Sequence, residues 1–346
     1  MNIADHSLVT GGAGFIGANL TARLLKRGGR VTVFDNLSRL GARANLDWLE
    51  DQAPHGLFTF IRGDLRNAAD VTSAMRGVTC IYHMAGQVAV TTSVTDPRAD
   101  FLDNALGTFN VLEAARLSEL APIIVYSSTN KVYGEMEFVT VLEKDRRYVY
   151  ESLVHGVPET QPLDFHSPYG CSKGAADQYV HDYARIYGLR TIVFRQSCIY
   201  GYRQFGIEDQ GWVAWFIIGA LKSRPITIYG DGKQVRDILF IDDLLDAYEL
   251  ALENIETTAG QVYNIGGGPE NTISIWTEFG PLLEELLGCR VEIQHADWRP
   301  GDQRLFVGDV RKAARDFGWH PTVSVRDGIS RLFRWIEANQ QLFVHV

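Results

Sequence analysis

Apolar runs of strand length alternate with amphipathic stretches along the first two-thirds of the chain. Ser7-Leu8-Val9 leads into Thr10-Gly11-Gly12-Ala13-Gly14-Phe15-Ile16-Gly17. Ile16, Leu20, Leu24 and Leu25 then recur at helical spacing as far as Gly28-Gly29. Val31-Thr32-Val33-Phe34 reads as a buried strand closed by Asp35. The unit repeats, with strands over 57–61, 80–84, 123–126 and 190–195 and helices near 67–76, 99–117 and 168–187. Ile123-Ile124-Val125-Tyr126 is apolar throughout, as a strand covered by helices on both faces must be. Beyond 195 the regular alternation breaks. Gln210 to Phe216 starts a helix, Ile226-Thr227-Ile228-Tyr229 is a strand before a Gly230-Asp231-Gly232 turn, and Asp242 and Asp243 are placed to cap a returning helix. Val262-Tyr263-Asn264-Ile265 supplies one more sheet strand, Gly266-Gly267-Gly268 a strand-to-helix turn, and 325–340 a final helix. The pattern predicts an α/β fold, a parallel sheet with helices on both faces plus a smaller C-terminal α/β lobe. The expected division is interleaved: 1–195 with 238–267, and 196–237 with 268–346.

Composition narrows the function classes. The chain has 346 residues, long enough for two lobes, and is 46% hydrophobic. Lys+Arg 33 against Asp+Glu 42 gives −9 with no basic run, which argues against a nucleic-acid partner. Cys80, Cys171, Cys198 and Cys289 are far apart and form neither a CxxC nor a metal pattern, so no metal is expected and the thiols read as reduced. The longest apolar run, 212–221, is too short to span a bilayer, and a glycine loop begins within ten residues of the start, so no membrane segment or signal peptide is expected. These features point to a cytoplasmic protein.

Gly11, Gly14 and Gly17 form G-x-x-G-x-x-G between a strand and a helix. Glycine there permits a tight turn, close backbone approach to a pyrophosphate, and close helix–strand packing. The phosphates would rest on the helix N-terminus. Asp35 follows 18 residues after Gly17, where a ribose-binding carboxylate belongs. Strand, loop, helix, strand and acid in this order define a Rossmann-type dinucleotide site. A carboxylate that accepts from the ribose hydroxyls repels a 2′-phosphate, which favours NAD over NADP, although Arg39 and Arg43 lie nearby. Asp64 either meets the adenine or caps the helix near 67–76. Ala85-Gly86-Gln87 ends a strand with small residues that let the backbone approach a cofactor. Asn104, in a helix interior that disfavours it, has a buried polar role.

Ser127-Ser128-Thr129-Asn130 places hydroxyls at the carboxyl end of the central strand, where such sheets bind ligands. In His166-Ser167-Pro168-Tyr169-Gly170-Cys171-Ser172-Lys173, Ser167 is the expected N-cap and Pro168 the first turn of a helix. Tyr169 and Lys173 then stack at i and i+4, and an ammonium there is expected to lower the phenol's pKa into the range of a useful base. Cys198 reads as a packed thiol rather than a nucleophile, having no histidine or acid partner in sight.

Glycine loop, strand-end hydroxyls and Tyr-x-x-x-Lys together resemble the extended short-chain dehydrogenase/reductase family, which includes nucleotide-sugar epimerases and dehydratases. The similar strings are long and span most of the chain: Val33–Arg39, Ala85–Ala89, Tyr126–Gly134, Leu163–Tyr179, Asp209–Val213 and Gly232–Asp237. Within the family they are most similar to members that invert C2 of a CDP-hexose through a transient 2-keto sugar. The resemblance implies Thr129, Tyr169 and Lys173 as the catalytic set. It implies cofactor contacts from Phe15, Ile16, Asn36, Ser38, Arg39, Leu65, Ser127 and Gln196 beside the residues above. It implies substrate contacts from Thr129, Asn130, Lys131, Cys198, Gln210, Arg236 and Arg304, with Arg299 a weaker diphosphate candidate. It also implies a homodimer or homotetramer, paired through the helices near 99–117 and 168–187, with a role in O-antigen assembly. Related 4,6-dehydratases carry Thr-Asp-Glu where this chain has Thr129-Asn130-Lys131, and neither an amide nor an ammonium offers their carboxyl acid–base pair. Two positions depart from the pattern: many relatives carry Asn at Cys198, and the epimerases it most resembles carry His at Gln196. A 4-epimerase, a reductase or a catalytically silent dinucleotide sensor remain alternatives.

Overall fold

The computed structural model describes residues 5–299 and 301–344. Nine strands carry the argument, in chain order β1 (His6–Thr10), β2 (Arg30–Asp35), β3 (Phe58–Arg62), β4 (Cys80–His83), β5 (Ile123–Thr129), β6 (Thr191–Gln196), β7 (Cys198–Tyr200), β8 (Val235–Phe240) and β9 (Gln261–Ile265). Seven of them form one parallel sheet in the order β9-β6-β5-β4-β1-β2-β3. Leu8, Val9, Val31, Val33, Ile81, Ile124, Val125, Val193 and Phe194 are fully buried, which is why these runs alternate so little. Strand order reverses between β1 and β4, and a crevice opens at their carboxyl ends.

The helices used below are α1 (Phe15–Lys26), α2 (Ala42–Gln52), α3 (Ala68–Ala74), α4 (Val90–Thr95), α5 (Pro97–Phe101), α6 (Gly107–Arg116), α7 (Ser167–Tyr187), α8 (Trp212–Leu221) and α9 (Ile241–Glu253). Beyond β6 the chain builds a second, smaller arrangement. β8 runs parallel to β7 and to Leu305–Phe306 and antiparallel to Thr272–Ser274; Ile226–Tyr229 pairs with Ile293–Ala296. Trp212 and Phe216 of α8 pack edge-on against Phe279 and Trp276.

A segment of this second part, residues 202–211, crosses back over α1 and α2. Asn19 Nδ2 donates to Tyr202 O at 2.8 Å and Asn45 Nδ2 to Arg203 O at 3.3 Å. The Arg203 guanidinium stacks on Trp48, and Arg39 donates to Gln210 Oε1. Gly41 is pressed onto Phe205 so closely that a Cβ would lie 2.2 Å from the ring.

Four local expectations are corrected. The helix expected over 99–117 is interrupted between α5 and α6 by a π-turn at Leu102–Leu106. The extra residue turns Asn104 inward, where its Nδ2 donates to Asp100 and to Ser172 of α7. Asp242 and Asp243 do not cap α9. Asp243 accepts from Thr322 Oγ1 and Val323 N, and Asp242 faces Arg23 and Arg331. The cap of α3 is Asn67, whose side chain accepts from Ala69 N, and not Asp64. Ser167 is likewise not the N-cap expected: it is the first residue of α7, the cap position falls on His166, which makes no side-chain cap bond, and the Ser167 hydroxyl accepts from Gly170 N at 3.2 Å within the first turn.

Candidate active site

The glycine loop shows why each glycine is there. Gly11 has φ 66°, and a Cβ on it would lie 2.8 Å from the Ala85 backbone, so it lets β1 and β4 deliver their loops side by side. A Cβ on Gly17 would lie 2.2 Å from Gly11 O, which fixes α1 against the loop. Gly14 differs: a Cβ there would approach only Gly11 O, at 3.1 Å, and the residue faces a cavity. Gly14 is also the N-cap of α1 and offers no side-chain cap, so the first amides of the helix stay open towards that cavity. This cradle fits a pyrophosphate.

Gly11, Gly14, Phe15, Ile16, Gly17, Asp35, Asn36, Ser38, Arg39, Asp64, Leu65, Ala85, Gly86 and Gln87 all line this cavity. Asp35 accepts from Ala13 N at 3.1 Å and Leu37 N at 2.7 Å, which aims the carboxyl at the ribose end; burial raises its pKa. Asp64 is chelated by Arg66 at the rim, which holds its carboxyl below the usual range. Asn104 lines neither cavity. It stands behind Gly86, its Oδ1 2.6 Å from where a Cβ would be, and supports the cofactor loop from beneath.

A second cavity of about 390 Å³ joins the first at Phe15, Ile16, Met84, Gly86, Val88, Gln204 and Gln210. Ser127, Thr129, Asn130, Lys131, Tyr169, Lys173, Gln196, Cys198 and Arg236 line it. β5 and the turn after it present Thr129, whose hydroxyl accepts from Lys131 N at 3.2 Å, donates to Asn130 Oδ1 at 3.4 Å, and stands near enough to the Tyr169 phenol to lower its pKa. α4 docks on the start of α7 through Ser93 Oγ, which accepts from Tyr169 N at 3.1 Å.

The electrostatics of the Tyr–Lys pair are not those expected. Tyr169 and Lys173 do stack on one helix face, but burial pushes the phenol up to about 12, with Thr129 and Arg39 only partly offsetting it. Lys173 donates to Ser127 O at 2.6 Å, lies over the Tyr126 ring, and is pushed down to about 7 by burial. In this cavity both groups are held towards their neutral forms. Burial also pushes the Cys198 thiol up to about 11 while its sulfur accepts from Trp212 Nε1, which leaves it inert as a nucleophile.

Lys131 Nζ reaches Gln303 Oε1 at 3.2 Å and Gly301 O at 3.4 Å. Burial and Arg236 press it down to about 8. Arg236 pairs with Asp302 at 2.7 Å. Arg304 is placed elsewhere: it is exposed, stacks near Tyr148 and Trp298, and lines neither cavity. Arg299 takes the cavity position instead, 3.7 Å above the Tyr229 ring and beside Glu208 and Asp209. The sequence runs Arg299-Pro300-Gly301-Asp302-Gln303-Arg304, and the turn at Gly301 carries the second arginine away. Sequence reading also passed over Gln204, Thr91 and Tyr248, which carry no motif.

Among the described residues no cluster of ligating side chains fits a metal ion, and no helix is long and apolar enough to cross a membrane.

A dinucleotide cradle joined to a cavity with Tyr-x-x-x-Lys and a strand-end hydroxyl defines a class, and comparison with known proteins bears it out. The chain belongs to the NAD dependent epimerase/dehydratase family, whose model matches residues 7–266. It is 46% identical to CDP-paratose 2-epimerase of Salmonella typhi over 95% of this chain and 98% of that one. It is 35% identical to a dTDP-glucose 4,6-dehydratase of Streptomyces antibioticus over 96% and 92%. The structure of the Thermus thermophilus UDP-glucose 4-epimerase in complex with NAD superposes with a TM-score of 0.80 at 34% identity, covering 96% of this chain and 99% of that one. NAD is thus the family's cofactor, and the cradle described above fits it.

Proposed function

We propose that this chain is an isomerase that inverts C2 of a CDP-hexose, converting CDP-paratose to CDP-tyvelose, through a 2-keto sugar. The observation that carries it is the Thr129 hydroxyl against the Tyr169 phenol, in a cavity continuous with the dinucleotide cleft and with no carboxyl on the Thr129-Asn130-Lys131 turn. The carboxyls that do line the cavity, Glu208, Asp209 and Asp302, are held by Arg299 and Arg236. Dehydration through a carboxyl pair on that turn is therefore unsupported, whereas oxidation and re-reduction at one carbon needs only the groups present. C2 and the cytidine diphosphate rest on the likeness to CDP-paratose 2-epimerase.

Thr129 Oγ1 holds the reacting hydroxyl, and Tyr169 Oη takes its proton and later returns it. Lys173 Nζ stands one turn along, where in its protonated form it offsets the charge of the phenolate, against the burial that favours both neutral forms. NAD, held by the glycine loop and Asp35, would supply the hydride acceptor and donor and, when oxidised, a positive charge beside the phenol. Arg236 and Arg299 exchange their carboxylates for the diphosphate, so that the sugar alone turns over between the two hydride steps. We read residues 1–195 with 238–267 as the cofactor lobe and the remainder as the sugar-nucleotide lobe. The chain works in the cytoplasm, supplying an activated hexose to O-antigen assembly, as a homo-oligomer joined through the exposed Phe109, Tyr179, Ile186 and Tyr187 of α6 and α7.

Purified protein given CDP-paratose should invert C2, followed by NMR. Tyr169→Phe should lower turnover by about 10²–10⁴-fold while the protein still releases its NAD on denaturation. A variant that turns over at the wild-type rate removes Tyr169 from the chemistry.

A further inference from the structure

We propose that Gln196 selects for a hydroxyl at sugar C3, beside the reacting carbon, and that Tyr248 is the positioning residue that aims it. The inference rests on the C2 reading above. It predicts that the site, besides turning over the 3,6-dideoxy CDP-paratose, turns over a CDP-hexose that keeps its 3-hydroxyl, such as CDP-glucose, with the higher kcat/KM.

Gln196 is the last residue of β6, and the β5–β6 register pairs it with Thr129. Paired residues on adjacent parallel strands project to the same face about 4.8 Å apart. The amide is therefore the immediate neighbour of the hydroxyl assigned to the reacting oxygen. Gln196 belongs to the cavity that contains Thr129 and Tyr169, and not to the one that holds the glycine loop and Asp35.

The orientation of the amide follows from what lies behind it. Tyr248, in α9, is fully buried, and its hydroxyl is 3.3 Å from Met84 Sδ, an acceptor only. The phenolic hydrogen goes to that sulfur, which leaves the oxygen's lone pairs to accept from Gln196 Nε2 at 2.6 Å. One N–H of the amide is thus engaged, and no hydrogen bond to the carbonyl oxygen occurs among the described residues. Gln196 lines the cavity, so a carbonyl oxygen left without a protein donor is open to a donor on the ligand. The carbon next to C2 on one side is C1, which carries the diphosphate and has no hydroxyl. The only hydroxyl that can stand beside the reacting one is on C3. Paratose has none there, so it would leave the Gln196 carbonyl unpaired, and a site built to bond a hydroxyl discriminates against an analogue that lacks it.

The test measures kcat/KM for C2 inversion of CDP-glucose and CDP-paratose by NMR, in wild type, Gln196→Ala and Tyr248→Phe, together with the NAD released from each protein on denaturation. The wild type should favour CDP-glucose by about ten-fold or more. Gln196→Ala should bring the ratio to near one by losing CDP-glucose turnover. Tyr248→Phe should narrow the ratio in the same direction by a smaller factor, which a merely structural loss would not do because it would lower both substrates alike. NAD content should match wild type in both variants. C2 inversion with a ratio that Gln196→Ala does not move, or a wild type that prefers CDP-paratose, overturns the inference and leaves the C2 reading standing. A fall in NAD content on Gln196→Ala also overturns it, since the carbonyl would then face the cofactor. No inversion of either sugar sinks the C2 reading itself.

Discussion

His83 ends β4 with both ring nitrogens engaged. Thr10 Oγ1 takes a hydrogen from Ala85 N and gives its own to Nδ1 at 2.7 Å, and Nε2 gives its hydrogen to Thr108 Oγ1 at 2.9 Å. Thr108 in turn donates to Asn104 O, so the ring is the Nε2-protonated neutral form. Burial, with Lys173 nearby, pushes the pKa down to about 3 from 6.5. Between those values the unfolded chain binds a proton that the folded one refuses. This contribution to stability is therefore whole above pH 6.5 and lost as pH falls towards 3. Its slope approaches about 1.4 kcal/mol per pH unit for one site. Urea titrations from acid to neutral pH should show that slope reduced by about one proton in His83→Gln. At this scale the sequence made much visible and some things not. The identities of Thr129, Tyr169 and Lys173 stood out because i, i+4 spacing and strand-end position are local properties. The direction of the Tyr169 shift did not, because burial depends on side chains distant in sequence, and it outweighs the expected lysine effect. Arg304 was preferred to Arg299 because the turn at Gly301 cannot be aimed from sequence.

The glycine-loop element separates two substitutions that look alike on paper. Gly17→Ala places a methyl 2.2 Å from Gly11 O with backbone on both sides, and should cost about 1–3 kcal/mol or more of stability along with the cofactor. Gly14→Ala adds its methyl at the cavity wall with a single close contact, 3.1 Å to Gly11 O, so the fold should lose far less than in Gly17→Ala while NAD affinity falls. Thermal denaturation with and without added NAD distinguishes the two. Periodicity located α1 and α7 well because their apolar faces are regular. It missed the π-turn between α5 and α6, since Asn104 and Thr108 look like ordinary helix positions until Asp100 and Ser172 are seen to receive them. The first-turn acids of α9 misled for a related reason: Asp243 is claimed by Thr322 and Val323, some eighty residues on.

For the whole molecule, the parallel sheet was legible from its runs of apolar residues, whereas the smaller arrangement was not, being assembled from two- to six-residue strands of mixed direction. The exposed aromatic face of α6 and α7 lies away from the cleft, with Phe109 edge-on to Tyr179 and Tyr183 to Tyr187. Charging it with Phe109→Asp and Ile186→Asp should give monomers by light scattering that remain folded by circular dichroism.

Residues 202–211 have one more effect. Arg203, Gln204, Phe205 and Gln210 form part of the wall of the cofactor cavity while they are tied to Asn19, Asn45, Trp48 and Arg39. A dinucleotide seated in this cavity would lie beneath the belt, so its exchange with solution should be slow unless the ties to Asn19, Asn45, Trp48 and Arg39 loosen. Under the proposed reaction, a hydride taken from the sugar would then be returned to it, which favours rearrangement of the substrate over release of an oxidised product.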